Sequence, residues 1–209
     1  MRLAVFVDYD GTITDGDTLD ILMRSCAGED AWQRLERELA AGTMSLREVL
    51  SAQARNVRCA FDEADALLAA QTHFDPAFGE FVRACEAAAV PLRILSSGIA
   101  SLIEHALARQ GMAGVPVLAN DADPSPGGWV MRYRDDSDNG HDKALEVRAA
   151  SGSGYRTVYV GDGYSDYEAS LAADIRFAKR GRSLERFLRE RGAAFVSFDS
   201  FAEVRRALF

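Results

Sequence analysis

The chain has 209 residues, 24 Lys+Arg against 32 Asp+Glu for a formal net charge of −8, and is 48% apolar and 27% charged. These values fit a globular protein of one domain, or one domain with a sizeable insertion, and exclude wholesale disorder. They also exclude a general nucleic-acid binder, which needs a basic stripe. No apolar run approaches the roughly 18 residues that span a bilayer, and Leu3–Val7 is too short for a signal-peptide core. A cytoplasmic protein without a membrane or nucleic-acid partner is the expectation. Cys26, Cys59 and Cys85 are odd in number, far apart and form no CxxC pair. Buried structural thiols in a reducing compartment are therefore expected, with no disulfide framework and no zinc site.

Leu3-Ala4-Val5-Phe6-Val7 is a continuous apolar run, the mark of a strand buried on both faces, and it ends in Asp8-Tyr9-Asp10-Gly11-Thr12. From about Asp17 to His73 no strand-like run occurs. Helical stripes follow one another instead: Leu19/Leu22/Met23/Cys26, Trp32/Leu35/Leu39, Leu46/Val49/Leu50 and Ala64/Leu67/Leu68, with a capping box at Ser45 and Glu48. This predicts a small all-helical insertion over residues 16–74, lying over the carboxyl edge of a sheet built from residues 1–15 and 75–209.

After the start signal Asp75-Pro76, the spacing of Phe78, Phe81, Val82 and Cys85 predicts a helix. The apolar run Leu92–Leu95 ends in Ser96-Ser97-Gly98, and a stripe from Ile99 to Leu107 stops at Gly111. Val115–Ala119 is a weaker strand. Asp121–Gly140 is irregular but contains the strand-like Trp129–Arg134. Lys143 opens the helical segment before the strand Thr157–Val160, which ends in Gly161-Asp162-Gly163 with Asp166 just beyond. Weak strands at Ile175–Ala178 and Ala194–Val196 precede a last helix with a capping box at Ser200 and Glu203. Strands alternating with helices predict an α/β, Rossmann-like parallel sheet covered on both faces.

Ligands of such sheets bind beyond the carboxyl ends of the strands. Three strong strands end there in Asp8 and Asp10, in Ser96, and in Asp162. Carboxylates gathered at one edge repel unless a cation neutralises them, and oxygen donors without His or Cys suit Mg²⁺. A metal beside an aspartate draws in a phosphate, whose nonbridging oxygens Lys143 and the Ser96 hydroxyl can hold while Asp8 attacks phosphorus.

The motif D-x-D-G-T at Asp8–Thr12, Ser96 after an apolar strand, Lys143, and G-D-G-x-x-D at Gly161–Asp166 resemble the haloacid dehalogenase superfamily of phosphotransferases, in that family's order. The helical insertion resembles its C1 cap. The resemblance implies Asp8 as the nucleophile that becomes phospho-aspartate, Asp10 as general acid and then base, and Ser96 and Lys143 on the phosphoryl group. It implies Mg²⁺ on Asp8, Asp162 and the Asp10 main-chain carbonyl, with Asp166 as support. Asp10 sets the pattern apart from the dehalogenases and P-type ATPases of the superfamily and implies hydrolysis of a small phosphorylated metabolite.

Within the superfamily, Ser96-Ser97-Gly98-Ile99 resembles the S-G-G-[FM] of the phosphoserine phosphatase branch, with Ser97 in place of a glycine. Gly140-His141-Asp142-Lys143 resembles the G-x-C-K of its methionine-salvage relatives, which act on 2-hydroxy-3-keto-5-methylthiopentenyl-1-phosphate; Asp142 replaces the cysteine. Asp17 stands at the position of a substrate-binding glutamate and Arg47 at that of a cap arginine, so Asp17, Arg47, Ser97 and Gly98 are the expected substrate contacts. Asp17 also fits a helix N-cap, and Arg47 the exposed side of a cap helix. Transfer to an alcohol acceptor and a non-catalytic receiver-like phosphoacceptor remain open beside hydrolysis.

Three further features have ordinary readings. Asp135–Gly140 followed by Glu146 nearly fits a Ca²⁺ loop, but a strand-like segment precedes it and Lys143 would put a cation in the site, so it is read as a solvated turn. His73 and His105 are expected at the surface and His141 in a turn. Gly152-Ser153-Gly154 precedes a strand and is no dinucleotide loop.

Overall fold

The structure, a computed structural model, describes residues 2–209; residue 1 of the predicted 1–15 segment lies outside the described residues. The strands are β1 Arg2–Val7, β2 Leu92–Ile99, β3 Val117–Asp123, β4 Val130–Arg132, β5 Tyr155–Gly161, β6 Ile175–Lys179 and β7 Val196–Phe198. They form one sheet in the order β4-β3-β2-β1-β5-β6-β7, parallel throughout except for the antiparallel β3–β4 pair. The helices are α1 Thr18–Ala27, α2 Glu29–Ala40, α3 Leu46–Ala54, α4 Phe61–Gln71, α5 Phe78–Ala87, α6 Ala100–Arg109, α7 Lys143–Gly152, α8 Tyr167–Ala172, α9 Ser183–Glu190 and α10 Phe201–Leu208. None is long and apolar enough to cross a membrane.

β1 is apolar at every inner position because both its faces are covered. Val5 and Val7 join the core made with Phe78 and Phe81 of α5, Ile103 and Leu107 of α6 and Phe201 of α10. Ala4 and Phe6 join the opposite core, with Ala144 and Val147 of α7 and Ala169 of α8. Alternation of side chains along the strand thus serves two cores at once. β1 pairs with β2 on one side and β5 on the other. The chain reverses its direction of winding at β1, and the crevice beyond the carboxyl end of such a strand is where ligands bind.

Between β1 and α5 lie α1–α4. The segments that lead into and out of them are joined by the bridge Thr14↔Phe74 and by bonds from the Asp15 N–H to the His73 carbonyl (3.0 Å) and the Asp75 N–H to the Ile13 carbonyl (2.8 Å). Asp17 caps α1, accepting from the Asp20 N–H, and Ser45 with Glu48 forms the predicted capping box on α3. Met23, Leu35 and Val49 make a small core among these helices, while Leu19, Leu22, Leu50 and Leu68 pack on Ile99 of β2 and Leu102 of α6.

The irregular stretch after β3 turns out to anchor the helices. β3 runs on to Asp123 and pairs back with β4, so the expected strand 129–134 is paired only at 130–132. Trp129, fully buried, donates from its main chain to the Ala54 carbonyl and from Nε1 to the Cys59 carbonyl, both at 2.9 Å. Two smaller expectations change, and the reading of Asp135–Gly140 as a turn stands. Glu203 reaches the Asp199 N–H rather than that of Ser200, and Asp75 takes the Phe201 N–H, so the last capping box is replaced by a longer-range cap. Of the three thiols, which are all free, only Cys85 is buried; Cys26 is exposed at the C-terminal end of α1, beyond its apolar stripe. The turn Asp135–Gly140 is held by the Asp135 carboxylate accepting from the Ser137 and Asp142 N–H groups, and Glu146 pairs with Arg93.

Candidate active site

Asp8 leaves the end of β1 with its N–H still bonded to the Val160 carbonyl of β5 (2.9 Å), which fixes its backbone at the sheet edge. Its carboxylate is buried. Burial pushes its pKa well above the usual carboxylate range, the charges of Asp166 and Asp162 add to this, and Lys143 opposes it.

Lys143 starts α7, which Asp142 caps. Its ammonium has three donors, and each is used: on Asp8 Oδ1 (2.6 Å), Asp166 Oδ1 (2.8 Å) and Ser165 Oγ (2.9 Å). Burial alone would lower its pKa, but the carboxylates of Asp166 and Asp8 more than reverse this and hold it above its ordinary value.

Asp166 accepts from four donors: Lys143 and the Tyr159 hydroxyl (2.6 Å) on Oδ1, and the N–H groups of Asp162 (2.9 Å) and Gly163 (3.0 Å) on Oδ2. It therefore shapes the turn that presents Asp162. The Asp162 carboxylate accepts from Thr12 Oγ1 (3.0 Å), and burial, with the Asp166 charge next, pushes its pKa up to about 6. Gly11 has φ +74°, and a Cβ there would strike the Asp162 carboxylate, so both the turn after Asp10 and the approach of the two strand ends require glycine.

Carboxylate oxygens of Asp8, Asp162 and Asp166 lie within 4.8 Å of one another. Because Asp166 is saturated by its four donors, the groups of this cluster left to hold a cation are Asp8 and Asp162. This all-oxygen donor set, with more buried negative charge than Lys143 can balance, fits a hard divalent ion.

Asp10 is turned the other way. Its Oδ1 accepts from the Thr18 N–H at the head of α1 (2.8 Å), and its Oδ2 faces Gly98, where a Cβ would come within 2.8 Å. Burial raises its pKa well above the ordinary value and the Asp17 charge adds to it, so this carboxyl favours its protonated form. Ser96 is buried at the end of β2, its Oγ accepting from the Gly98 N–H (2.9 Å) and keeping its own proton for another acceptor. The carbonyls of this turn are pinned by His141 Nδ1 on Ser96 (2.9 Å) and Asn120 Nδ2 on Ser97 (2.8 Å). Burial pushes His141 down to about 4, which keeps it a neutral ring with its proton on Nδ1.

A cavity of about 300 Å³ opens over Asp8, Asp10, Ser96, Ser97, Gly98 and Asp162. Asp17, Asp20, Glu36 and Gln53 face it from α1–α3. The fold thus brings together every predicted residue except Arg47. Arg47 does not line the cavity: its guanidinium lies over the Tyr133 ring (4.2 Å to the centroid), donates to the Asp135 carbonyl (2.5 Å) and approaches Asp136 (3.8 Å). Acceptors on the loop after β4 capture it. Arg47→Ala is expected to lower stability by about 1–2 kcal/mol while changing kcat/KM less than about threefold, checked by thermal unfolding and phosphatase assay.

Sequence reasoning missed Tyr159, Ser165, Asp20, Glu36 and the role of His141. Asp20 was detectable, since it shares a helix face with Asp17 at i, i+3. Tyr159 was not, because it reads as one more bulky residue of a buried strand.

The family model for haloacid dehalogenase-like hydrolases matches residues 5–170. Pdp3-interacting factor 1 of Schizosaccharomyces pombe is 32% identical over 99% of this chain and 95% of its own length. The polyol phosphate phosphatase PYP1 of Saccharomyces cerevisiae is 26% identical over 98% and 91%. A 2-hydroxy-3-keto-5-methylthiopentenyl-1-phosphate phosphatase of Microcystis aeruginosa is 28% identical over 100% and 98%. A solved substrate-bound phosphoserine phosphatase superposes with a TM-score of 0.78 at 15% identity, covering 100% of this chain and 98% of that one, so the fold is shared. With the family model spanning most of the chain and the strand-end aspartates converging on one cleft, the chain belongs to the haloacid dehalogenase-like hydrolases.

Proposed function

We propose that the chain is a Mg²⁺-dependent phosphomonoesterase that hydrolyses a small phosphorylated metabolite through a phospho-Asp8 intermediate. The observation that carries this reading is the different partners of Asp8 and Asp10, two residues apart. Burial raises the pKa of both, but only Asp8 accepts from the Lys143 ammonium, which opposes the rise, while Asp10 has no cation in hydrogen-bond contact and accepts from the Thr18 N–H. Of two such carboxyls, the one on a cation is suited to attack as the carboxylate and the one without a cation to carry the proton. The relatives named as phosphatases support the same chemistry.

In the first step an Asp8 carboxylate oxygen bonds to phosphorus and the ester P–O bond breaks, the departing oxygen taking the Asp10 proton. In the second, Asp10, now a carboxylate, takes a proton from water, whose oxygen bonds to phosphorus while the P–O bond to Asp8 breaks and phosphate leaves. Ser96 donates its hydroxyl proton to the phosphoryl group, and Lys143 exchanges its bond to Ser165 for a phosphoryl oxygen. Mg²⁺, held by Asp8, Asp162 and the Asp10 main-chain carbonyl, would neutralise charge on the transferring group. Residues 16–74 act as the lid that keeps other water out of the cleft, over a catalytic unit of residues 1–15 and 75–209.

Asp10→Asn tests the acid. It is expected to lower kcat for an alkyl phosphate about 10²–10⁴-fold and for p-nitrophenyl phosphate much less, because nitrophenolate leaves without a proton. The first step needs the protonated form, so the alkyl-ester rate of the native enzyme should fall as pH rises through the raised Asp10 pKa, with no matching fall for the nitrophenyl ester. Equal losses on both substrates would remove Asp10 from that role.

A further inference from the structure

Two of the three thiols, far apart in the chain, meet in the fold. On α1, Cys26 lies one turn beyond Leu22 and two beyond Leu19, so the three share a face. That face packs on α4, and Cys59, two residues before α4 begins, packs against the same cluster as Leu19 and Leu22. The two sulfurs face each other: burial raises the Cys59 pKa first, and the charge of Cys26 and a side-chain contact with its thiol add to this. Cys59 is fixed on both sides. Its carbonyl accepts from Trp129 Nε1 (2.9 Å), and the next N–H, of Ala60, donates to Glu63 (3.0 Å). Cys26 lies in the last turn of α1, which the Gly28 N–H closes on the Arg24 carbonyl (3.0 Å).

Facing thiols serve either a metal or redox chemistry. A metal site needs further ligands, and among the described residues no group of three or more His, Cys, Asp or Glu includes either cysteine. Redox chemistry needs one sulfur open to the oxidant and a second beside it. Cys26 is exposed and Cys59 is half-buried next to it. Cys85 meets neither condition: it lies buried in the core under α5, where burial, with the Glu86 charge adding, pushes its thiol up to about 12.

We propose that Cys26 and Cys59 are a redox site that closes to a reversible disulfide on oxidation by hydrogen peroxide. The Cys26 thiolate attacks one peroxide oxygen and the O–O bond breaks. Cys26 becomes a sulfenic acid, and the second oxygen leaves as hydroxide and takes up a proton to form water. The Cys59 thiolate then attacks the Cys26 sulfur, the S–S bond forms, the S–O bond breaks, and the hydroxyl leaves as a second water on protonation. The two thiols give up two electrons and two protons, which the peroxide receives. The loop so closed contains α2 and α3, which bear Glu36 and Gln53 at the cavity, so the bond tightens the cover without touching Asp8 or its partners.

The test treats the folded, reduced protein with a small excess of hydrogen peroxide, stops the reaction with catalase and N-ethylmaleimide, and counts free thiols in denaturant. Peptide mass mapping without reductant then locates any link. The expected result is a fall from three free thiols to one, a linked peptide pair carrying Cys26 and Cys59 within one chain, and full reversal by dithiothreitol. Cys26 and Cys59 should be consumed at least about tenfold faster than Cys85. The linked protein should melt at least about 5 °C higher than the reduced one. Cys26→Ser and Cys59→Ser should each abolish the link and the rise in melting, while Cys85→Ala keeps the link. Loss of all three thiols at one rate, a link to Cys85 or between chains, or Cys26 carried on to sulfinic acid with Cys59 still free would overturn the assignment. A linked protein that melts no higher than the reduced one would overturn the tightening of the cover.

Discussion

Asp8→Asn should reduce turnover by at least about 10⁴-fold, because the amide cannot attack phosphorus and no other side chain is placed to replace it. The fold should survive, since Lys143 keeps Asp166 and Ser165 and the new side chain has nearly the old shape. Removing this charge should even help the metal-free protein. The ionised carboxylate is disfavoured there by burial and by Asp166, and asparagine is relieved of both. The measurements are p-nitrophenyl phosphate turnover and melting in EDTA and in excess Mg²⁺. The variant should melt no lower than the parent in EDTA and lose most of the gain from Mg²⁺. Residual activity within a hundredfold of the parent would refute the nucleophile assignment.

Lys143→Ala should have the largest effect on stability. The ammonium is almost wholly buried between Asp8 and Asp166, and its removal leaves two carboxylates without a counter-charge, a loss of about 3–5 kcal/mol. Activity should fall with it, as phosphate loses a cationic partner. The deficit should depend on pH in a defined sense. Asp8 has a folded-state pKa above its unfolded value, more so without the lysine, so the folded form binds more protons between the two values and stability rises as pH falls through that window. In EDTA the variant should therefore lie closer to the parent at pH 5 than at pH 8. A deficit of the same size at both values would show that lost packing, not unpaired charge, causes it.

What a linear reading could see follows from where each group sits. Asp8, Ser96 and Asp162 end strands, and Lys143 begins the helix that leads to one, so their meeting at the sheet edge follows from the strand–helix alternation alone. Gly11 and Gly98 are equally visible, since their motifs need a residue without a side chain. Arg47 was beyond such a reading because its partners, the carbonyl of Asp135 and the ring of Tyr133, come from a loop nearly ninety positions away and compete with the cleft for the same guanidinium. The purpose of Tyr159 depends on the turn after β5: the helical turn Tyr164–Asp166 brings the Asp166 carboxylate back onto its hydroxyl. Trp129 read only as the start of a strand-like segment, whereas its burial comes from α4 and the turn before it folding onto it.

The Trp129 hairpin also bears on mechanics. A cover joined to its base only by the paired segments at Thr14 and Phe74 would pivot like a door. Here a second fastening runs through Trp129 to Ala54 and Cys59 and through Tyr133 to Arg47. Two fastenings oppose a wide swing of α1–α4, so slow amide hydrogen exchange at both of them is expected. A cleft of about 300 Å³ under a cover fastened on two sides leaves room for a small ester, and a phosphorylated protein is expected to be turned over far more slowly than p-nitrophenyl phosphate.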